Sequence, residues 1–347
     1  MDVHFRNGRF FNPGVTEHGF RQLYQWIKNR KPGPWPEWIP STPGAAPPAE
    51  VTGSDLRITF VNHSTVLLQT AARNILTDPI WSRRASPVQF AGPLRHREPG
   101  LRFEDLPPIH AILISHNHYD HFDTATLRRL WHRDHPVVFC PLGVAPALRA
   151  IGFREIVEND WGQSQTWEPF RVHCVPAQHF ASRTPFDRNR TLWCGWVLEH
   201  EAGNLYFAGD TGFGSFFSAI GEQFAPIRLA LLPIGAYEPE WFMGPVHMTP
   251  EQAVEVRRIL DAATAVGIHY GTFSLADDGY ADPPERLRRA LDGHTDADRF
   301  WVLPEGEGRL VPAPSSAERA TVQPVLRAAS PREPAPFRRG EILPSST

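Results

Sequence analysis

The sequence predicts an α/β fold in which sheets are covered by helices. Three observations carry that expectation. Short runs with strand patterning alternate along the chain with helix-spaced segments, and helix starts are marked by caps. Several apolar runs also end in histidine and aspartate, as strands do where they give way to functional loops.

The elements follow in order. Phe20, Leu23, Tyr24 and Ile27 recur at helical spacing, with Arg21, Lys28, Arg30 and Lys31 beside them. Residues 32–48 are dense in proline and exclude both helix interior and central strand, so 1–54 is expected to be an N-terminal helix and connector. Leu56–Val61 alternates in strand fashion, and Thr65–Gln69 is its expected hairpin partner. Further strands are expected at 111–115, 137–140, 170–175, 193–198, 204–208, 229–232 and 265–268, and Leu76-Thr77-Asp78-Pro79 closes another apolar run. Asp123 can N-cap a helix carrying Leu127, Leu130 and Trp131. Thr249-Pro250-Glu251-Gln252 reads as a capping box with proline at the first helical position. Residues 55–311 therefore form one expected domain, and 312–347, rich in Pro, Ser and Ala, an expected disordered tail.

Composition bounds the function. A chain of 347 residues with 41% hydrophobic and 21% charged residues can bury a large core. A net charge of -3 offers no general attraction for nucleic acid. Cys140, Cys174 and Cys194 are too scattered for a disulfide framework or a thiolate zinc site. The N-terminus lacks a signal-peptide core, and no run approaches a membrane span of roughly 18–20 apolar residues, which sets the expected location in the cytoplasm. The basic helix around Phe20, with Trp26, Trp35 and Trp38 nearby, could rest on a membrane surface or pack on the main domain.

The chemistry concentrates in SHNHYDHFD, residues 115–123. It offers His116, His118, Asp120 and His121 directly after an apolar run. His179 follows the run 170–175, Asp210 follows 204–208, and His269 follows 265–268. Five histidines and two carboxylates on strand ends can fill two adjacent metal positions, with one carboxylate bridging. Imidazole and carboxylate suit zinc, and also iron or manganese. Two such cations lower the pKa of a water and stabilise charge on a phosphoryl oxygen. His63, alone in the first hairpin turn, is left outside the metal set, and His110 and His173 read as structural. His247 stands two residues before the Thr249 cap, where a helix N-terminus favours an anion, and is a candidate substrate contact. Tyr119, inside the metal loop, is a second. Tyr237-to-Met243 could line an acyl groove or pack the core.

HxHxDH after a hydrophobic strand, followed by distant His, Asp and His, resembles the metallo-β-lactamase superfamily. The blocks ITFVNHST, ILTDPIWSRRASP, ILISHNHYDH, PAQH, LWCGW, FAGDTG, PIGAYEPEWFM and IHYGTF, spread over residues 56–310, are similar to its phospholipase D branch, which hydrolyses N-acyl-phosphatidylethanolamines. The resemblance implies an αββα sandwich with metals at one edge of two sheets. It assigns His116, His118 and His179 to one metal, Asp120, His121 and His269 to the other, and Asp210 to both, with Asp120 and Asp210 serving catalysis. Asp78 would orient a ligand histidine. The implied function is phosphodiester hydrolysis by metal-bound hydroxide with two zinc ions, on a phospholipid, at the membrane periphery. A lactonase or soluble phosphodiesterase of the same superfamily is the alternative, and a homodimer is compatible with either.

Overall fold

The computed structural model of the protein describes residues 4–16 and 18–313. These residues form one compact unit. Apart from its first two residues, the expected tail at 312–347 lies outside the described residues. A two-residue hairpin pair, β1 (Phe5–Arg6) and β2 (Arg9–Phe10), and the helix α1 (Phe20–Asn29) precede the main body. The proline-rich stretch then runs as extended chain along the domain, held by Ile39 N donating to His96 O at 2.7 Å and Gly44 N to Gly100 O at 2.7 Å.

Two seven-stranded mixed sheets follow. The first contains β3 (Leu56–Asn62), β4 (Thr65–Thr70), β5 (Arg73–Thr77), β6 (Ala111–Leu113), β7 (Val137–Pro141) and β8 (Ile156–Asn159). The second contains β9 (Ser164–Trp167), β10 (Phe170–Val175), β11 (Gly195–Glu199), β12 (Asn204–Phe207), β13 (Ile227–Pro233), β14 (Ala262–Ile268) and β15 (Phe300–Trp301). β16 (Gly308–Val311) returns to pair antiparallel with β3 and completes the first sheet. The expected hairpin forms: β3 and β4 are antiparallel, with Ile58 opposite Leu68.

The two-residue period of a strand explains the layering. On β4, Val66 and Leu68 face the core between the sheets. Leu67 faces the other way, into a second core with α2 (Thr124–Asp134) and α3 (Ala145–Ile151). On β10, Phe170, Val172 and Cys174 meet the first sheet from the other side. The outer face of the second sheet is covered by α4 (Phe216–Phe224), α6 (Pro250–Ile259) and α7 (Asp282–Ala290), while α5 (Glu240–Met243) lies beside α1. The order helix, sheet, sheet, helix is the αββα sandwich that the resemblance implies. Both expected caps are present: Asp123 accepts from Ala125 N, and Thr249 and Gln252 form the reciprocal box. Glycine explains an unexpected helix. A Cβ on Gly221 of α4 would stand 2.4 Å from Ile259 O, so the close contact with α6 depends on its absence.

Candidate metal centre

Every expected ligand leaves a buried strand at the same edge of the sandwich. β6 leads into His116–His121, β10 into His179, β12 into Asp210 and β14 into His269. Gly209 has φ +60°, and a Cβ there would sit 2.5 Å from Ser115 Cβ, so glycine lets the Asp210 loop approach the histidine segment. Three non-glycine residues at the site are left-handed: His63 at φ 48°, Asp78 at 32° and His269 at 61°. Such backbone costs about 1–3 kcal/mol per residue and persists where the surroundings over-determine it. Here Thr65 Oγ1 donates to Asp78 O at 2.7 Å, and His269 N donates to His63 O at 2.9 Å.

Two clusters result. In the first, His118 Nδ1 lies 2.8 Å from His116 Nε2 and 3.3 Å from His179 Nε2. In the second, Asp120 Oδ2 lies 3.2 Å from His121 Nε2, 3.4 Å from His269 Nε2 and 3.0 Å from His63 Nε2. Asp210 Oδ2 faces both, at 4.0 and 3.8 Å from His116 and His179 and at 3.1 and 3.0 Å from His121 and His269.

Hydrogen bonds around the rings test whether cations fit. Asp78 Oδ2 accepts from His121 Nδ1 at 2.7 Å, and the Val246 carbonyl accepts from His179 Nδ1 at 3.0 Å. Ser115 Oγ gives its proton to Asp78 Oδ2 at 2.5 Å, which leaves it to accept from His116 Nδ1 at 2.9 Å. When neutral, His116, His121 and His179 therefore carry the proton on Nδ1 and present a bare Nε2 to the centre, while His118 turns its Nδ1 inward. Lone pairs about 3 Å apart repel unless a cation lies between them, and donors about 2.0–2.1 Å from zinc at tetrahedral angles stand roughly 3.3 Å apart. His121 Nε2, His269 Nε2 and Asp210 Oδ1 are buried without a hydrogen-bond partner in the protein. The donor set fits divalent metal.

The charges agree. Burial pushes the carboxyls of Asp120 and Asp210 up, yet the imidazoles of His121, with His269 at Asp210, outweigh it and hold both well below the ordinary range. Burial also lowers His63 and His118 to about 4 and keeps His116 and His179 well below the usual histidine value. Burial opposes charge on His269 as well, but Asp210 and Asp120 lift it to about 9. The carboxylates thus create a negative centre that draws protons when nothing stronger is bound.

A matching family model, described as a beta-lactamase superfamily domain, spans residues 73–270. The chain belongs to the metallo-β-lactamase superfamily. Within that superfamily it is 38% identical over 255 residues to N-acyl-phosphatidylethanolamine-hydrolyzing phospholipase D 1 of Caenorhabditis elegans, covering 70% of this chain and 72% of that one. It is 33% identical over 234 residues to the mitochondrial enzyme of the same name from Saccharomyces cerevisiae, covering 65% of this chain and half of the yeast protein. Among solved structures, a metallo hydrolase of Ignicoccus hospitalis superposes with a TM-score of 0.57 at 23% identity, over 74% of this chain and 98% of that one, which shows the shared superfamily fold.

The edge that carries the two clusters opens into a cavity of about 630 Å³. His118, Asp120, His179, Asp210 and His269 form its floor, and its walls include Phe20, Leu23 and Trp26 of α1 with Phe242 and Met243 of α5. Trp26 stacks on Phe242 at 5.0 Å and donates to Asp277 Oδ2 at 3.2 Å, so α1 does pack on the main domain. The same helix leaves Phe20 91% and Tyr24 65% exposed.

All seven expected ligands meet, and Asp78 holds His121. His247 also reaches the floor, its ring 5.1 Å from His179 and 5.2 Å from His269, and burial lowers it to about 3. Tyr119 does not line the cavity. Its hydroxyl donates to Arg183 O at 2.8 Å and its ring lies under the Arg183 guanidinium, so it braces the loop after His179. His63, left out of the metal set on sequence grounds, bonds Asp120 and belongs to the second cluster. Its position at the end of β3 was the available signal. Ser115, which sets the His116 tautomer, was missed because its role depends on Asp78, 37 residues earlier.

Proposed function

We propose that this metal-dependent hydrolase cleaves phosphodiesters of glycerophospholipids, N-acyl-phosphatidylethanolamine among them, at a centre that holds two zinc ions. The observation that carries the proposal is Asp210 Oδ2 facing both histidine clusters at the floor of an apolar-walled cavity. His116, His118 and His179 would hold one ion, Asp120, His121 and His269 the other, with Asp210 shared. Bound there, the ions supply an acidified water and positive charge beside a phosphoryl oxygen.

The protein's own groups do the rest. Asp120 and Asp210 stay ionised, accept hydrogen bonds from the attacking water and aim it at phosphorus. His247 stays neutral and lines the cavity beside His179 and His269, where its ring would face the phosphoryl group. Phe20, Leu23, Trp26 and Phe242 take an acyl chain and exclude water. The name carried by the worm and yeast relatives points to the same lipid.

No helix among the described residues is long and apolar enough to cross a membrane. Phe20, Tyr24 and Ile27 form an exposed apolar stripe at i, i+4 and i+7 on α1, beside the cavity mouth. We therefore propose that the enzyme touches a lipid surface through α1.

Zinc-loaded protein incubated with N-acyl-phosphatidylethanolamine, a soluble phosphodiester and a lactone, with products followed by mass spectrometry, tests the reading. Release of N-acylethanolamine and phosphatidate supports it. Turnover of the lactone alone, with both metals bound, overturns it.

A further inference from the structure

The loop that follows His179 brings a guanidinium to the metal floor. Arg188 lines the cavity and is the sole arginine or lysine among the described residues that do so. Its guanidinium lies 4.3 Å from the centre of the Phe180 ring. Phe180 in turn packs edge-on against His118 at 4.6 Å and beside His179 at 4.9 Å. The cation therefore stands one aromatic ring away from the first metal cluster.

The loop is braced on both flanks. Asn189, buried at φ 58°, donates from its N to Ala181 O at 2.6 Å, and its carbonyl accepts from Phe10 N at 2.8 Å. Asp187 Oδ1 accepts from Arg183 N at 3.0 Å and Thr184 N at 2.8 Å, and Arg9 donates to Arg188 O. An arginine stacked on an aromatic face and fixed by its backbone is pre-organised, and its planar fork matches two oxygens of a phosphate. The walls are otherwise largely apolar, and Arg188 places a guanidinium on them.

We propose that Arg188 is a specificity-determining residue: it binds an anionic oxygen of the phosphodiester and selects charged diesters over neutral esters. The inference rests on the phosphodiester reading above. No chemical step is assigned to Arg188.

The test uses zinc-loaded wild type, Arg188→Gln and Arg188→Lys, with metal content checked in each. Kinetics are measured on bis(p-nitrophenyl) phosphate, an anion, and p-nitrophenyl acetate, which is neutral. Loss of a charge-assisted bond predicts a fall of roughly 10–100-fold in kcat/KM on the diester for Arg188→Gln. The neutral ester should change little, and Arg188→Lys should recover part of the loss because it keeps charge without the fork. Equal losses on both substrates would mark Arg188 as a loop brace and overturn the proposal, as would no loss on either. Diethyl phosphate binding, followed by 31P NMR titration, separates this proposal from the reaction. Should wild type fail to cleave diesters, the functional reading falls. A Kd raised about tenfold or more in Arg188→Gln would still support the Arg188 assignment, and an unchanged Kd would overturn it.

Discussion

Asp78→Asn perturbs the centre without touching a ligand. Asp78 accepts three hydrogen bonds, from Ser115 N at 2.8 Å, Ser115 Oγ at 2.5 Å and His121 Nδ1 at 2.7 Å. Asparagine tolerates the 32° φ angle better than most residues and matches the volume, so the backbone should hold. Its amide group, however, turns one acceptor into a donor facing His121 Nδ1–H and the serine hydroxyl. The imidazole escapes the clash by moving its proton to Nε2, which removes the lone pair offered to the second metal. Losing one such orienting bond lowers metal affinity about 10–100-fold, equivalent to roughly 1.4–2.7 kcal/mol. Zinc titration of metal-free protein against a chromophoric chelator reads both affinities. The site of Asp120, His121 and His269 should lose affinity by that factor, and the His116–His118–His179 site should weaken too, because Ser115 orients His116 through its bond to Asp78. Two unchanged affinities in a folded variant would refute the claim that Asp78 sets the His121 tautomer.

Other outcomes follow from the same geometry. Replacing Tyr24 and Ile27, which lie outside the cavity lining, with Asp should cut co-sedimentation with phospholipid vesicles by at least roughly 100-fold if each buries about 1.5–3 kcal/mol of apolar surface, and leave turnover of a soluble phosphodiester intact. Trp196→Ala should cost about 3–5 kcal/mol in denaturant unfolding. Its indole is fully buried between the sheets and donates to Ile114 O at 2.9 Å, so zinc affinity should fall as well. For metal-free protein the pH profile has two arms. His63 and His247 lie near 4 and 3, below their unfolded value of about 6.5, so their contribution is present above 6.5 and lost as pH falls through those values. His269 lies near 9, so its contribution is present below 6.5 and lost as pH rises through 9. Urea midpoints from pH 4 to 10 should peak near 6.5, and bound zinc should remove the alkaline decline.

The legible part of this protein was the part written in local pattern. The β3–β4 hairpin, the Asp123 and Thr249 caps and the strand ends carrying seven ligands all depend on residues close in sequence. The remainder depends on partners far along the chain. β9 reads as polar, Ser164 to Trp167, and becomes a strand because β10 offers its edge. α4 carries Gly221, which weakens its helical pattern and makes sense only against Ile259 of α6. His63 looked like a lone histidine until β14 brought His269 to a ring distance of 4.2 Å. Tyr119 sits within the metal motif, yet the Arg183 guanidinium 4.0 Å from its ring turns it to a bracing role.

The clusters joined by Asp210 are proposed to hydrolyse a phosphodiester at phosphorus. The most direct measurement is turnover of N-acyl-phosphatidylethanolamine in 18O-labelled water by protein carrying a measured two zinc ions per chain, with Asp210→Asn in parallel. One 18O atom is expected in the phosphatidate, none in the N-acylethanolamine, and no product from the variant. Label in a released fatty acid or in the alcohol, or equal turnover by Asp210→Asn, would contradict that proposal.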